Sequence, residues 1–124
     1  MDTEKIYSYC DSKKGSIRTF PFDDVTLVYK VGNKMFALLA IDESPLRINL
    51  KCDPDLALNL RSQYKSISPG YHMNKKHWNT VLIDGSIATD EIFKMIDHSY
   101  ELVLNSLAKK ERTAINDQSE SDER

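Results

Sequence analysis

The sequence predicts an α+β fold: an antiparallel β-sheet, built from a meander plus a C-terminal hairpin, with an N-terminal helix, a middle helix and a long C-terminal helix. Three observations carry this expectation. β-Branched and aromatic runs separated by turn residues fill the stretch from Val25 to Cys52 and recur after Trp78. Apolar residues at helical spacing fill the rest, the longest stripe being Ile92, Ile96, Tyr100, Val103 and Leu107. A chain of 124 residues, 40% of them hydrophobic, suits one core and one domain.

Taken in order, Ile6, Tyr9 and Cys10 fall at i, i+3, i+4 and predict a short helix from Thr3 to about Ser12, with Gly15 beyond its end. Ser16 to Phe22 reads as an edge strand or strap packed by two aromatics, because Pro21 cannot donate to a ladder. Val25 to Val31 and Lys34 to Ile41 flank Gly32-Asn33, a two-residue hairpin signal, and the apolar second run suits a central strand covered on both faces. Leu46 to Cys52 alternates, with Arg47, Asn49 and Lys51 on the polar face. Asp53-Pro54 starts the middle helix, aspartate capping exposed amides and proline taking the first turn; Leu56, Ala57, Leu60 and Tyr64 form its stripe. Asp84-Gly85 turns the chain again, and Thr89 can cap the long helix. Periodicity fails after Lys110. A domain of residues 1–110 followed by a frayed or disordered acidic tail, 111–124, is therefore expected.

Charge is uneven. The net of -2 combines a tail of net -3 from Glu111 onward with a body of +1, and within the body Arg47 to Lys76 holds six bases against Asp53 and Asp55. Such a segment can be a polyanion footprint, although a pI near 5.9 is low for a strong nucleic-acid binder. The longest apolar run, Met35 to Ile41, is too short to span a bilayer, and the Met-Asp-Thr-Glu-Lys start lacks an apolar signal region. A cytoplasmic protein away from membranes, with Cys10 and Cys52 reduced, is the expectation.

Functional signal concentrates in Ser68 to Thr80. It reads as two short strands joined by a basic turn, and a loop of either Asn74-Lys75 or Met73 to Lys76 would set Tyr71 opposite Trp78 and His72 opposite His77. A three-residue loop would break that pairing. In a DNA-binding reading, Lys75 and Lys76 contact phosphates, Asn74 and His72 or His77 donate hydrogen bonds, and Tyr71 and Trp78 stiffen the strands. Arg47 and Lys51 extend the footprint if their strand faces the same way.

Pro21-Phe22, Lys30-Val-Gly-Asn-Lys-Met-Phe-Ala-Leu, Leu50-Lys-Cys-Asp-Pro, Pro69-Gly-Tyr-His-Met-Asn-Lys-Lys-His-Trp-Asn-Thr-Val and Ser99-Tyr-Glu-Leu-Val together resemble the MmcQ/YjbR family of small bacterial proteins. The resemblance runs to about Leu107. It implies a compact YjbR-like α+β domain, similar to the frataxin-like or CyaY-like fold, and a DNA-binding role through a surface like a double wing. It supplies no catalytic residues and no cofactor. An iron role suggested by frataxin-like proteins needs an acidic ridge, whereas Asp2, Glu4 and Asp11 are offset here by Lys5, Lys13 and Lys14.

Other readings have less to stand on. His72 and His77 could share a metal ion only with a third ligand, for which Asp84, Cys52 and Asp53 are the nominal choices. No Gly-x-Ser-x-Gly elbow, phosphate-binding loop or His-Glu-x-x-His motif points to an enzyme. A non-catalytic protein-interaction module, using Pro21, Tyr7, Tyr71 and Trp78 as an aromatic surface, is the main alternative. A monomer is slightly favoured.

Overall fold

A computed structural model describes the backbone of residues 3–71 and 73–122, and side chains as far as Asn116. The order is α1 (Thr3–Asp11), β1 (Ile17–Thr19), β2 (Thr26–Val31), β3 (Lys34–Ala40), β4 (Leu46–Lys51), α2 (Pro54–Gln63), β5 (Ile67–Pro69), β6 (Trp78–Ile83), α3 (Thr89–Ser106) and α4 (Lys109–Asp122). The strands form one antiparallel sheet in the order β1-β2-β3-β4-β6-β5. The first four make the expected meander. Helix α2 then carries the chain past its edge, so β5 lies outermost and β6 returns beside β4.

Alternation along the strands sorts their side chains onto two faces. Leu27, Tyr29 and Val31 of β2, Ile48 and Leu50 of β4, and Val81 and Ile83 of β6 join the main core beneath the helices. Helix α3 supplies Ile92, Ile96, Tyr100 and Val103 to that core, so the predicted stripe is the one the fold buries. Gly32 and Asn33 both have positive φ, at 56° and 68°, as a tight β2–β3 turn requires. At Phe36 an extra residue enters β3, where the register slips between Tyr29 and Lys30. The Asp53 carboxylate caps α2, accepting from the amides of Asp55 and Leu56 at 3.2 and 3.3 Å.

Several expectations are corrected. Phe20 and Phe22 do not pack the edge segment; they project outward, 47% and 63% exposed. In the α2 stripe only Ala57 is fully buried; Leu60 and Tyr64 are partly buried against the core, and Leu56 is 38% exposed beside the cavity that opens towards α3. Ala88, with extended backbone, is the cap of α3 and its carbonyl takes the first helical amides, so Thr89 stands one position too late to cap. Residues Lys109–Asp122 form a further helix, α4. Ile115 anchors that helix: it is 9% exposed and lies against Gly15, where an added Cβ would come within 3.0 Å of it. With Ala114 and Ile115 alone apolar in α4 there is little periodicity to read, yet Gly15 provides a seat for Ile115.

Candidate nucleic-acid interface

Among the described residues no helix packs on the second face of the sheet. Its middle carries a small apolar cluster of Val28, Leu38 and Trp78, against which Met35 and Met73 pack. Met73 belongs to the segment 70–77, which is a longer connection than the two- or four-residue turn predicted. Pro69 pairs with Asn79 and the Gly70 amide donates to the Trp78 carbonyl at 2.8 Å, so Gly70, not Tyr71, stands beside Trp78. Space enforces that register: a Cβ on residue 70 would meet the Trp78 Cβ at 2.7 Å. Tyr71 is consequently no strand stiffener. Its amide donates to Thr80 Oγ1 at 2.9 Å and its side chain is 53% exposed. Trp78 does support the sheet, at 9% exposure.

The loop is built by its own polar groups. Asn74 Oδ1 accepts from the Lys76 amide at 2.9 Å and the Asn74 carbonyl from the His77 amide at 3.2 Å, a local turn that occupies the asparagine. Lys75 Nζ donates to the Gly70 carbonyl at 3.1 Å. Arg61 of α2 holds the base of the loop, donating to Asn79 Oδ1 at 2.7 Å, to the Trp78 carbonyl at 3.2 Å and to the Lys75 carbonyl. Both lysines are exposed, but Lys75 is tethered, whereas Lys76 is in no ion pair among the described residues. His77 is half-buried, and its carbonyl accepts from the Cys52 amide at 2.7 Å, which ties the loop to the end of β4. His72 lies outside the described residues, so the predicted His72–His77 pairing does too. Among the described residues there is no cluster of three or more His, Cys, Asp or Glu able to hold a metal ion.

Arg47, Asn49 and Lys51 do share the helix-free face with this loop, but they do not act alike. Arg47 is paired with Glu43 at 2.8 Å and its guanidinium lies 4.9 Å from the centre of the Tyr71 ring. Lys51 stands opposite Trp78, four residues further along the strand. Lys30, not singled out by the sequence, joins it: β2 alternation puts Lys30 on this face opposite Met35, two strands from Lys51 and so about 10 Å away across the sheet. Among the described residues, Lys30, Lys51 and Lys76 form no ion pair; the pairs present are Lys13–Asp97, Arg18–Asp11, Arg47–Glu43 and Lys94–Glu91.

The opposite end of the face is acidic. A groove of about 450 Å³ runs there, lined by the apolar Leu38, Ala40 and Met73 and by the exposed Asp23, Asp42 and Glu43. Backbone and hydroxyl hydrogen bonds from Val25 and Thr26 hold the Asp23 carboxyl below the usual carboxylate range. Charge along the face is therefore segregated, with free lysines at one end and carboxylates at the other. A second, smaller cavity of about 150 Å³ opens on the helix side between α2 and α3, lined in part by Cys52 and His98. His98 Nε2 accepts from the Asp53 amide at 3.1 Å, and burial pushes the Cys52 thiol up to about 11.

Among the described residues no helix is long and apolar enough to cross a membrane. A family model described as YjbR matches residues 11–102. The uncharacterized protein YjbR of Escherichia coli K12 is 33% identical over 112 residues, covering 90% of this chain and 95% of that protein. The uncharacterized protein YbdF of Escherichia coli O157:H7 is 38% identical over 96 residues, covering 77% of this chain and 79% of that one. The crystal structure of Deinococcus radiodurans protein DR2400, domain DUF419, superposes with a TM-score of 0.87 at 42% identity, covering 92% of this chain and 87% of that one.

Proposed function

The chain belongs to the YjbR family, and we propose that it is a non-catalytic cytoplasmic protein that contacts the phosphate backbone of nucleic acid. The observation that carries this reading is that Lys30 and Lys51 lie on the sheet face opposite the helices among the described residues, that Lys76 is exposed in the loop leading into Trp78, the partner of Lys51, and that none of the three is in an ion pair among the described residues. Lysines outside ion pairs lose little on exchanging water for phosphate, and their binding releases counterions condensed on the nucleic acid. Arg47 contributes less, since Glu43 and Tyr71 already engage it. Three contacts give modest affinity and a slope of about -3 in log K against log salt. Base reading is not implied, because the loop offers backbone-directed cations more than a row of base-edge donors.

Salt-titrated retention on single-stranded and duplex DNA tests this. Lys51→Glu with Lys76→Glu should abolish retention at low salt while far-UV circular dichroism stays unchanged, and Arg47→Ala should weaken it only slightly. Equal retention of the wild type and the double variant sinks the proposal. A second reading, a protein-interaction surface, is favoured by the exposure of Ile17, Phe22 and Tyr71 at 64%, 63% and 53%. Binding of that kind would persist as salt rises, and sedimentation of the chain across a range of concentration would register self-association.

A further inference from the structure

We propose that the acidic half of the open-face groove is a binding site for a small organic cation with an apolar body, of the arylalkylamine kind. The inference does not rest on nucleic-acid binding, whose lysines occupy the other end of the face. A volume of about 450 Å³ lies within the range of small-ligand sites, and Leu38, Ala40 and Met73 give its lining an apolar part.

The protein already places one cation of its own in this groove. Arg47 lies over the Tyr71 ring at 4.9 Å and bonds Glu43 at 2.8 Å, so an aromatic face and a carboxylate converge there on positive charge. One guanidinium leaves the groove underneutralised: Asp23, Asp42 and Glu43 face a single Arg47, a net of -2 among the ionisable side chains that line it. Asp42 forms no ion pair among the described residues and is exposed, which makes it the carboxylate open to an incoming ammonium. Phe22, 63% exposed, provides a second aromatic wall.

Deeper in the groove, Asn49 adds direction. Its Oδ1 accepts from Thr80 Oγ1 at 2.5 Å, which leaves the amide nitrogen as a donor with no partner among the described residues. A ligand that fits has an ammonium at Asp42, an apolar ring between Tyr71 and Met73, and room for an acceptor at Asn49. An anion of the same shape meets the wrong charge.

The test is a titration of the full-length chain, followed by amide NMR, with 2-phenylethylamine and with its anionic isostere 3-phenylpropionate. The amine should shift the resonances of Asn49, Thr80 and Tyr71, and Asp42→Asn should weaken it roughly five-fold, a size in keeping with an exposed charge pair. Tyr71→Ala should weaken it further. Equal binding of the carboxylate, shifts confined to the cavity between α2 and α3, or an unaltered affinity in Asp42→Asn would each overturn the proposal. No shift at all with millimolar amine would overturn it as well.

Discussion

Replacing Ser99 with alanine should destabilise the fold far more than the loss of one hydroxyl on a helix ordinarily does. Ser99 is fully buried on α3, where its Oγ donates to the Phe36 carbonyl at 2.6 Å and accepts from the Lys51 amide at 2.9 Å. The β3–β4 ladder ends at Ala37 opposite Leu50, so Phe36 and Lys51 would have been its next pair. The irregularity at Phe36 parts them, and the hydroxyl stands in the gap, replacing one ladder bond with two. Ser99→Ala keeps Cβ but takes the partner from the buried Phe36 C=O and from the part-buried Lys51 N–H, at about 1–3 kcal/mol each. Partial closure of the strands recovers some of this, so a net loss of about 2–4 kcal/mol is expected. For a chain of this size that corresponds to roughly 10 °C in Tm. Urea unfolding followed by circular dichroism is the assay, read as a fall in midpoint at unchanged slope, with faster hydrogen exchange at the Lys51 amide as the local signature. A loss below about 0.5 kcal/mol would mean that the strands close without the hydroxyl, and the bridging argument would fail.

Three further outcomes follow from the same packing. Gly32→Ala should cost about 1–3 kcal/mol, because residue 32 has φ of 56° and an added Cβ would lie 2.6 Å from Leu107 Cδ1. Gly85→Ala, with φ of 87° but nothing within 4 Å, should cost less in the same urea assay, and equal costs would contradict the clash. Both thiols should be slow to react in the folded chain at pH 8, since burial pushes Cys10 up to about 12 and Cys52 up to about 11 from an ordinary value of 9.0. The unfolded chain gives up these protons first, so stability should hold below pH 9 and fall as pH rises towards 12. Rapid labelling of both thiols without denaturant, or unfolding midpoints that do not fall above pH 9, would count against the burial.

Elements whose signals are local were legible in the chain. The Gly32-Asn33 turn, the Asp53-Pro54 helix start and the alternation that puts Arg47, Asn49 and Lys51 on one face depend on backbone sterics and neighbouring residues, and all are present. The hairpin at Trp78 was half legible. Its strands exist, but pairing was judged from loop length alone, and a steric fact at Gly70 moved the register by one residue. The candidate surface was least legible. That Lys51 faces the loop holding Lys76 follows from the polar face of β4, yet Lys30 joins them only because β2 lies two strands away in the folded sheet.

Periodicity and turn chemistry are contained in a few consecutive residues, which is why the α+β class, most element starts and the polar face of β4 could be read without coordinates. Which charges remain free could not, because that depends on residues brought together from distant positions or turned towards one another by the fold. Glu43 turns towards Arg47, Gly70 accepts the Lys75 ammonium, and Ile115 finds Gly15 a hundred positions earlier. Only packing made a basic segment into one tethered lysine, one paired arginine and a free basic end facing an acidic groove.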